Sequence, residues 1–238
     1  QLFYPRYFGF AICRLQVTMT DSAALQQRWD DLTAFVNEEV RQKWWQKVLS
    51  AYQPRRFSGI RQLERMFKEF DKHKDCLKDR YAFGFAIFFK NIVYNTMKSN
   101  NAEESAAMLR QFSQETTFDQ ENRVAELIIE SGKGSSDVNL QEGAYGEDDL
   151  HYLLDFDLAF LGDDAETFVQ HEIAMRSEFN HLSDQDYATQ RLKTLRFFIQ
   201  IPNIFATKAL RDQYEAQART NIAKEIEVLQ AGTRVYDS

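Results

Sequence analysis

Proline, glycine and cysteine are all scarce in this chain of 238 residues. With only 3 prolines and 9 glycines, long stretches contain no helix breaker, which favours long helices. The 2 cysteines, Cys13 and Cys76, form no CxxC pair and indicate no disulfide framework, so a reducing compartment is the default expectation. No apolar run reaches the roughly 18 residues that a membrane-spanning helix needs, and we therefore expect no membrane span.

Tracts rich in lysine or arginine are also missing, and the formal net charge is -7. Proteins whose main ligand is nucleic acid usually carry a basic patch, so we expect no nucleic-acid partner. The aromatic residues, in contrast, are abundant: 20 Phe, 10 Tyr and 3 Trp can build a large core. Trp44 and Trp45 are adjacent, and helical spacing suggests that one indole faces the core and the other a partner surface.

Apolar residues recur at three- and four-residue steps through most of the chain and predict an all-α fold. One helix is expected to run from Asp21 or Ser22 towards Pro54, and another carries Leu63 and Phe67. Further helices are expected at about 79–96, 101–114, 119–131, 148–161, 164–180, 184–200 and 207–230. Residues 131–147 hold four of the nine glycines and predict a long loop, which is usually functional or mobile.

Lys90 and Asn91 interrupt the most apolar stretch of the chain, residues 83–94. This stretch is apolar nearly all round, which is typical of a central buried helix. Burying an unpaired ammonium group costs several kcal/mol, so Lys90 needs either a charged partner or a route to water.

Several blocks of sequence around this stretch occur in a defined order. They are residues 54–63 (PRRFSGIRQL), 86–94 (AIFFKNIVY), 101–106 (NAEESA), 154–162 (LDFDLAFLG), 175–179 (MRSEF) and 218–225 (ARTNIAKE). In this order and spacing the chain resembles a small subfamily of predicted HD-domain metal-dependent phosphohydrolases, over roughly residues 25–230. The resemblance implies one HD-like helical bundle, which we assign to residues 21–238, preceded by an arm of residues 1–20.

The resemblance also implies what a working site would contain. Active members carry Arg-x-Tyr-His-x-x-x-His in the first block, Phe-His-Asp-x-x-Tyr in the second and Asn-Glu-x-x-Ser-Ala in the third. A later His near the glycine-rich loop and a final Asp complete the set. These side chains bind one or two divalent metals, and the metal activates a water against a phosphoryl group.

Most of the corresponding positions in this chain hold residues that are poor metal ligands. The two His positions, the His-Asp doublet and the Glu position are replaced, and two aspartates remain near the end; in order these residues are Ser58, Gln62, Lys90, Asn91, Ala102, Asp155 and Asp157. The stretch where the later His would fall reads SGKG, residues 131–134. An ammonium group repels a metal ion, and hydroxyl and amide groups bind a transition metal weakly. We therefore expect no metal, no cofactor and no catalysis at this site.

Lys90 then has two interpretations. Its ammonium could take the place of the metal and pair with Asp157 or Asp155, so that one positive charge balances a leftover carboxylate. Alternatively, the apolar stem of the side chain could carry the charge out to water. We favour the ion pair, because the resemblance supplies the missing partner.

The sequence thus predicts a non-catalytic HD-like pseudoenzyme that serves as a structural or interaction subunit in a larger protein assembly. One alternative is a metal-independent module that binds a nucleotide or phosphate in the pocket where active members of the family hold the metal. Arg55, Arg56 and Lys133 are then the candidate anion contacts. A third interpretation is a residual phosphohydrolase with relocated ligands, drawn from Asp155, Asp157, Glu103 and Glu104.

Residues 1–20 contain Arg6 and Arg14, no acidic residue and five Phe or Tyr residues. Such an aromatic and basic segment is expected either to anchor the domain to a neighbouring protein or to be the mature edge of a cleaved transit peptide. The corresponding location would be intracellular, in the mitochondrion or another organelle in the second case.

Overall fold

The computed structural model of the protein describes residues 22–234 and residue 236. This part of the chain is helical and contains no β-strand, which confirms the predicted all-α class. The helices are α1 (22–32), α2 (Glu38–Tyr52), α3 (Ile60–His73), α4 (Arg80–Phe89), α5 (Asn101–Gln114), α6 (Glu121–Ser131), α7 (Asp137–Leu140), α8 (Asp149–Leu158), α9 (Ala165–Arg176), α10 (Asp184–Gln200) and α11 (Lys208–Gln230). No helix in residues 22–234 is both long and apolar enough to cross a membrane. The arm predicted for residues 1–20, with Cys13, lies outside the described residues.

Helix α4 is the centre of the bundle, and all its residues from Ala82 to Phe89 are buried. Aromatic rings from other helices surround it. The Trp29 ring of α1 lies 5.4 Å from the ring of Phe88 and 5.7 Å from that of Phe112 in α5, both edge to face. Such aromatic contacts add to the free energy gained by burying the rings. The abundance of phenylalanine is therefore used mainly inside the fold.

Helix α4 ends at Phe89, seven residues before the predicted end at residue 96. Side chains from neighbouring helices replace the backbone hydrogen bonds that a longer helix would make. The Tyr52 hydroxyl donates to the Phe88 carbonyl at 3.0 Å and accepts from the Asn91 amide at 3.1 Å. The Ser105 hydroxyl does the same for both backbone groups of Val93. Because buried backbone groups need partners, these side chains allow the helix to stop here.

The expected single helix towards Pro54 is divided into α1 and α2. Asn37 caps α2 by accepting from the Glu39 amide at 2.9 Å, and a turn at residues 33–36 separates the two helices. The expectation for Trp44 and Trp45 was also wrong, because both are buried, with exposures of 0% and 2%. Adjacent residues differ by only about 100° around a helix, so a wide apolar stripe covers both.

The glycine-rich loop is held in place by two asparagines. The Asn139 side chain, in the short α7, donates to the carbonyls of Asn203 and Ile204 at 3.2 and 3.0 Å. The Asn203 side chain donates in return to the carbonyls of Val138 and Gln141 at 2.9 and 2.7 Å. These reciprocal bonds fasten the loop to the segment between α10 and α11.

Candidate functional site

Four of the residues that the resemblance places at metal-ligand positions meet between α3, α4 and α8. The Lys90 ammonium lies 3.0 Å from Asp157 Oδ2. The Gln62 amide nitrogen donates to the other oxygen, Asp157 Oδ1, at 2.5 Å. The Gln62 carbonyl oxygen accepts from the Asn91 side chain at 3.0 Å. The four side chains form one continuous chain of polar contacts, made of two hydrogen bonds and one ion pair.

This ion pair is well shielded on the lysine side. Lys90 is 7% exposed, and the Asp157 side chain is 26% exposed. Lys90 is the C-cap residue of α4, and its long side chain is buried in the bundle. Asp157, not Asp155, is therefore the partner of Lys90, and the ammonium does not escape to water.

Asp155 lies elsewhere, contrary to the expectation that it shares the site. Residues two apart on a helix point in different directions, so Asp155 and Asp157 leave α8 on different faces. Asp155 is fully buried and accepts hydrogen bonds from the Ala206 amide and from the amide and hydroxyl of Thr207, at 2.8, 2.8 and 2.6 Å. Burial raises the pKa of the Asp155 carboxyl to about 7, while the three donors act to lower it. Asp155 fixes the start of α11 and has a structural role.

Ser58 lies beside this network in a second cluster. The Ser58 hydroxyl and amide donate to Oε2 and Oε1 of Glu178 at 2.8 and 2.9 Å, and the Phe57 amide donates to Oε1 at 2.7 Å. Tyr94 lies against the same group, and burial raises the pKa of its hydroxyl to about 12. Glu178 belongs to the block at residues 175–179, but nothing in its sequence pattern predicted this role.

Arg55 lies between the two clusters and is partly buried. Its Nη1 donates to the Asn91 carbonyl at 2.7 Å and its Nε to the Ala51 carbonyl at 2.8 Å. The guanidinium carbon lies 4.4 Å from the centre of the Tyr52 ring and 5.4 Å from that of Tyr94. Burial lowers the pKa of Arg55, and the nearby Glu178 carboxylate acts to raise it. Arg55 therefore stabilises the fold at the end of α4.

The remaining candidate residues do not gather around this site. Lys133 pairs with Glu130 at 2.5 Å in an exposed contact, so it does not join the two arginines as an anion contact. Ala102 packs against Gly132: a Cβ added to the glycine would lie 2.5 Å from the alanine Cβ. Arg56 is exposed at the edge of a cleft.

That cleft has a volume of about 510 Å³ and opens beside Glu178. Three segments line it: residues 54–56 after α2, residues 94–97 after α4, and residues 177, 178, 180 and 181 between α9 and α10. Its surface is of mixed polarity and includes Arg56, Thr96 and His181 beside Met97.

The side chains at the positions that the resemblance assigns to metal ligands do not fit a divalent metal. Of the two carboxylates among them, Asp155 binds the start of α11, and the two oxygens of Asp157 already contact the Lys90 ammonium and the Gln62 amide. The relocated set does not assemble either, because Glu104 pairs with Lys98 at 3.2 Å in an exposed contact while Asp155 binds the start of α11. Within residues 22–234 no group of three or more His, Cys, Asp or Glu side chains is arranged to hold a metal ion.

No protein-family model, no curated protein and no solved structure matches this chain.

Proposed function

We propose that this protein is a non-catalytic, HD-like helical subunit that supports or connects other proteins in a larger assembly. The observation that carries the proposal is the ion pair between Lys90 and Asp157 at the place where the resemblance puts the metal. A lysine ammonium supplies one positive charge, as a bound cation would, but it has no empty orbital and activates no water. The site then balances charge without performing chemistry.

The neighbouring amides support the same interpretation. Gln62 and Asn91 are neutral. Asn91 donates a hydrogen bond to Gln62, and Gln62 donates one to Asp157. Polar side chains that are paired with one another in the interior favour one arrangement of the helices around them. Three elements of the bundle, α3, the end of α4 and α8, are joined in this way. The arrangement favours a stable body for interaction with partners.

The test combines an activity assay with the native state of the protein. Purified protein is assayed against nucleotides and a generic phosphodiester with Mg²⁺, Mn²⁺ or Zn²⁺, and the native extract is analysed by native gel and crosslinking. We expect no metal-dependent hydrolysis and migration within a complex. Metal-dependent hydrolysis that is lost in Asp157→Asn but kept in the exposed control Asp212→Asn would overturn the proposal. Migration of the native protein as a free monomer would also count against it.

The predicted arm gives a further part of this proposal that rests on sequence alone. Residues 1–20 combine aromatic side chains with two arginines and no acid, a composition suited to binding a neighbouring protein. Removing residues 1–20 is expected to release the protein from its complex on a native gel. Unchanged migration would contradict this role of the arm.

A metal-independent nucleotide- or phosphate-binding module is the second candidate, favoured by the position of Arg56 at the cleft. Thermal-shift titration with nucleotides and phosphate tests it, since a ligand that binds the folded state raises the melting temperature saturably. The expected shift is lost in Arg56→Gln and kept in the exposed control Arg61→Gln. A protein that responds to none of these ligands removes this candidate.

A further inference from the structure

Glu178 makes contacts that resemble those of a bound ligand. It lies in the 3₁₀ turn Ser177–Phe179, about 120 residues away from the loop that it contacts. Its Oε1 accepts two backbone amides, those of Phe57 and Ser58, and its Oε2 accepts the Ser58 hydroxyl. Successive backbone amides that point at one anion form a concave binding site, and hydrogen bonds to an ionised acceptor are stronger than neutral ones.

The loop that carries these donors is held in shape independently of Glu178. Gly59 allows the backbone to fold tightly, since a Cβ at this position would lie 2.0 Å from the Arg55 carbonyl oxygen. The Arg55 amide also donates to the Tyr52 carbonyl at 3.2 Å. Ser58 is almost completely buried, so its hydroxyl has little access to water. The three donors are therefore already oriented for an anion.

The number and placement of the donors indicate which anion fits. A planar group with two oxygens uses all three donors, as Glu178 does. A phosphate would bring further oxygens and more negative charge to a loop whose three donors at Phe57 and Ser58 are already used by two oxygens. Arg55 contributes a favourable positive charge nearby. The cleft of about 510 Å³ beside Glu178 has polar side chains that would face the rest of a ligand.

We propose that the loop at Phe57 and Ser58 is a carboxylate-binding site, and that Glu178 occupies it from within in this conformation. A small carboxylic acid that enters through the cleft exchanges with Glu178 for the three donors. The inference goes beyond the proposed function and does not rest on it, since a carboxylate site can exist in a subunit or in an enzyme.

The test replaces the internal carboxylate with one from solution. Glu178→Ala is expected to melt several degrees below the wild type, and sodium acetate is expected to raise its melting temperature saturably. Sodium chloride at the same ionic strength has no such effect. In Glu178→Gln the amide still fills the space, so acetate is expected to have little effect there. The exposed control Glu142→Ala is expected to behave as the wild type.

Two further measurements complete the test. Adding Ser58→Ala to Glu178→Ala is expected to weaken the acetate response several-fold, because one donor is removed. The wild type is expected to respond only at higher acetate concentration, because Glu178 competes. If Glu178→Ala does not fold, as judged by circular dichroism, Glu178→Asp takes its place, because its carboxylate is one methylene shorter and falls short of the donors.

The proposal is overturned if acetate stabilises Glu178→Ala and Glu178→Gln equally, or if chloride has the same effect as acetate. A larger shift with inorganic phosphate than with acetate would contradict the carboxylate class. A wild type that never responds, beside a responding Glu178→Ala, would disprove the exchange.

Discussion

The Lys90 ammonium and the Asp157 carboxylate lie 3.0 Å apart and join the end of α4 to α8. Lys90 is nearly buried, whereas Asp157 keeps partial contact with solvent. Removing Asp157 therefore has a different effect on stability from removing Lys90. An uncompensated ammonium in the bundle is the more severe defect, because water cannot reach it.

The double-mutant cycle of Lys90 and Asp157 measures this pair directly. Lys90→Met is expected to lower the free energy of unfolding by about 2–4 kcal/mol, because Asp157 loses its counter-charge. Asp157→Asn in the Lys90→Met background is expected to recover part of that loss, since no charge then remains. Urea unfolding of the four proteins gives the coupling energy. Purely additive losses would show that the two groups do not interact.

Asp155 is expected to make stability depend on pH. Its pKa in the folded protein is about 7, above the ordinary value of 3.8, so between these values the folded state holds a proton that the unfolded state has lost. This contribution to stability is complete below about pH 4 and is lost as the pH rises through about 7. The stability advantage of the wild type over Asp155→Asn should therefore fall by about 2–3 kcal/mol between pH 5 and pH 7.

Chemical denaturation at several pH values checks this dependence. Subtracting the stability of Asp155→Asn from that of the wild type cancels the titration of all other groups, because these groups are common to both proteins. An advantage that is constant, or that grows with pH, would show that Asp155 is ionised throughout the range.

Tyr52 is expected to stabilise the end of α4 through its hydroxyl. Tyr52→Phe keeps the ring but leaves the Phe88 carbonyl and the Asn91 amide without their partner. The expected loss is about 1–3 kcal/mol in the free energy of unfolding. Tyr145→Phe is the matched control, because Tyr145 is 49% exposed. Equal effects of the two substitutions would mean that the Tyr52 hydrogen bonds contribute nothing.

Asn203 is expected to control the order of the glycine-rich loop. Asn203→Ala removes the donors to the Val138 and Gln141 carbonyls. Backbone amides between residues 136 and 146 should then exchange hydrogen faster, while those of α4 stay protected. Asn122→Ala, at an exposed position of α6, serves as the control. Unchanged exchange in this loop would show that other contacts hold it.

The helices that repeat their apolar pattern over several turns could be predicted from the sequence. Helices α5, α10 and α11 lie within two residues of their expected bounds. The errors arise where a distant side chain decides the local structure. Tyr52 and Ser105 end α4 early, and no pattern inside residues 83–96 reveals this.

In the candidate site, too, some features could be predicted from the sequence and others depend on distant residues. The sequence could predict that Lys90 needs a carboxylate, because the cost of an unpaired buried charge does not depend on the details of the fold. It could also have separated Asp155 from Asp157, since their spacing of two residues places them on different faces of a helix. Glu178 could not be assigned from sequence, because its partners lie about 120 residues away and two of them are backbone amides.

The positive charge beside Asp157 is attached to the chain by covalent bonds. A bound ion exchanges with solvent, and its occupancy follows the concentration of that ion in the compartment. The Lys90 side chain is present in every copy from the moment of synthesis and cannot be removed by a chelator. Charge balance in this part of the bundle is therefore set by translation and is independent of the supply of any dissolved cation.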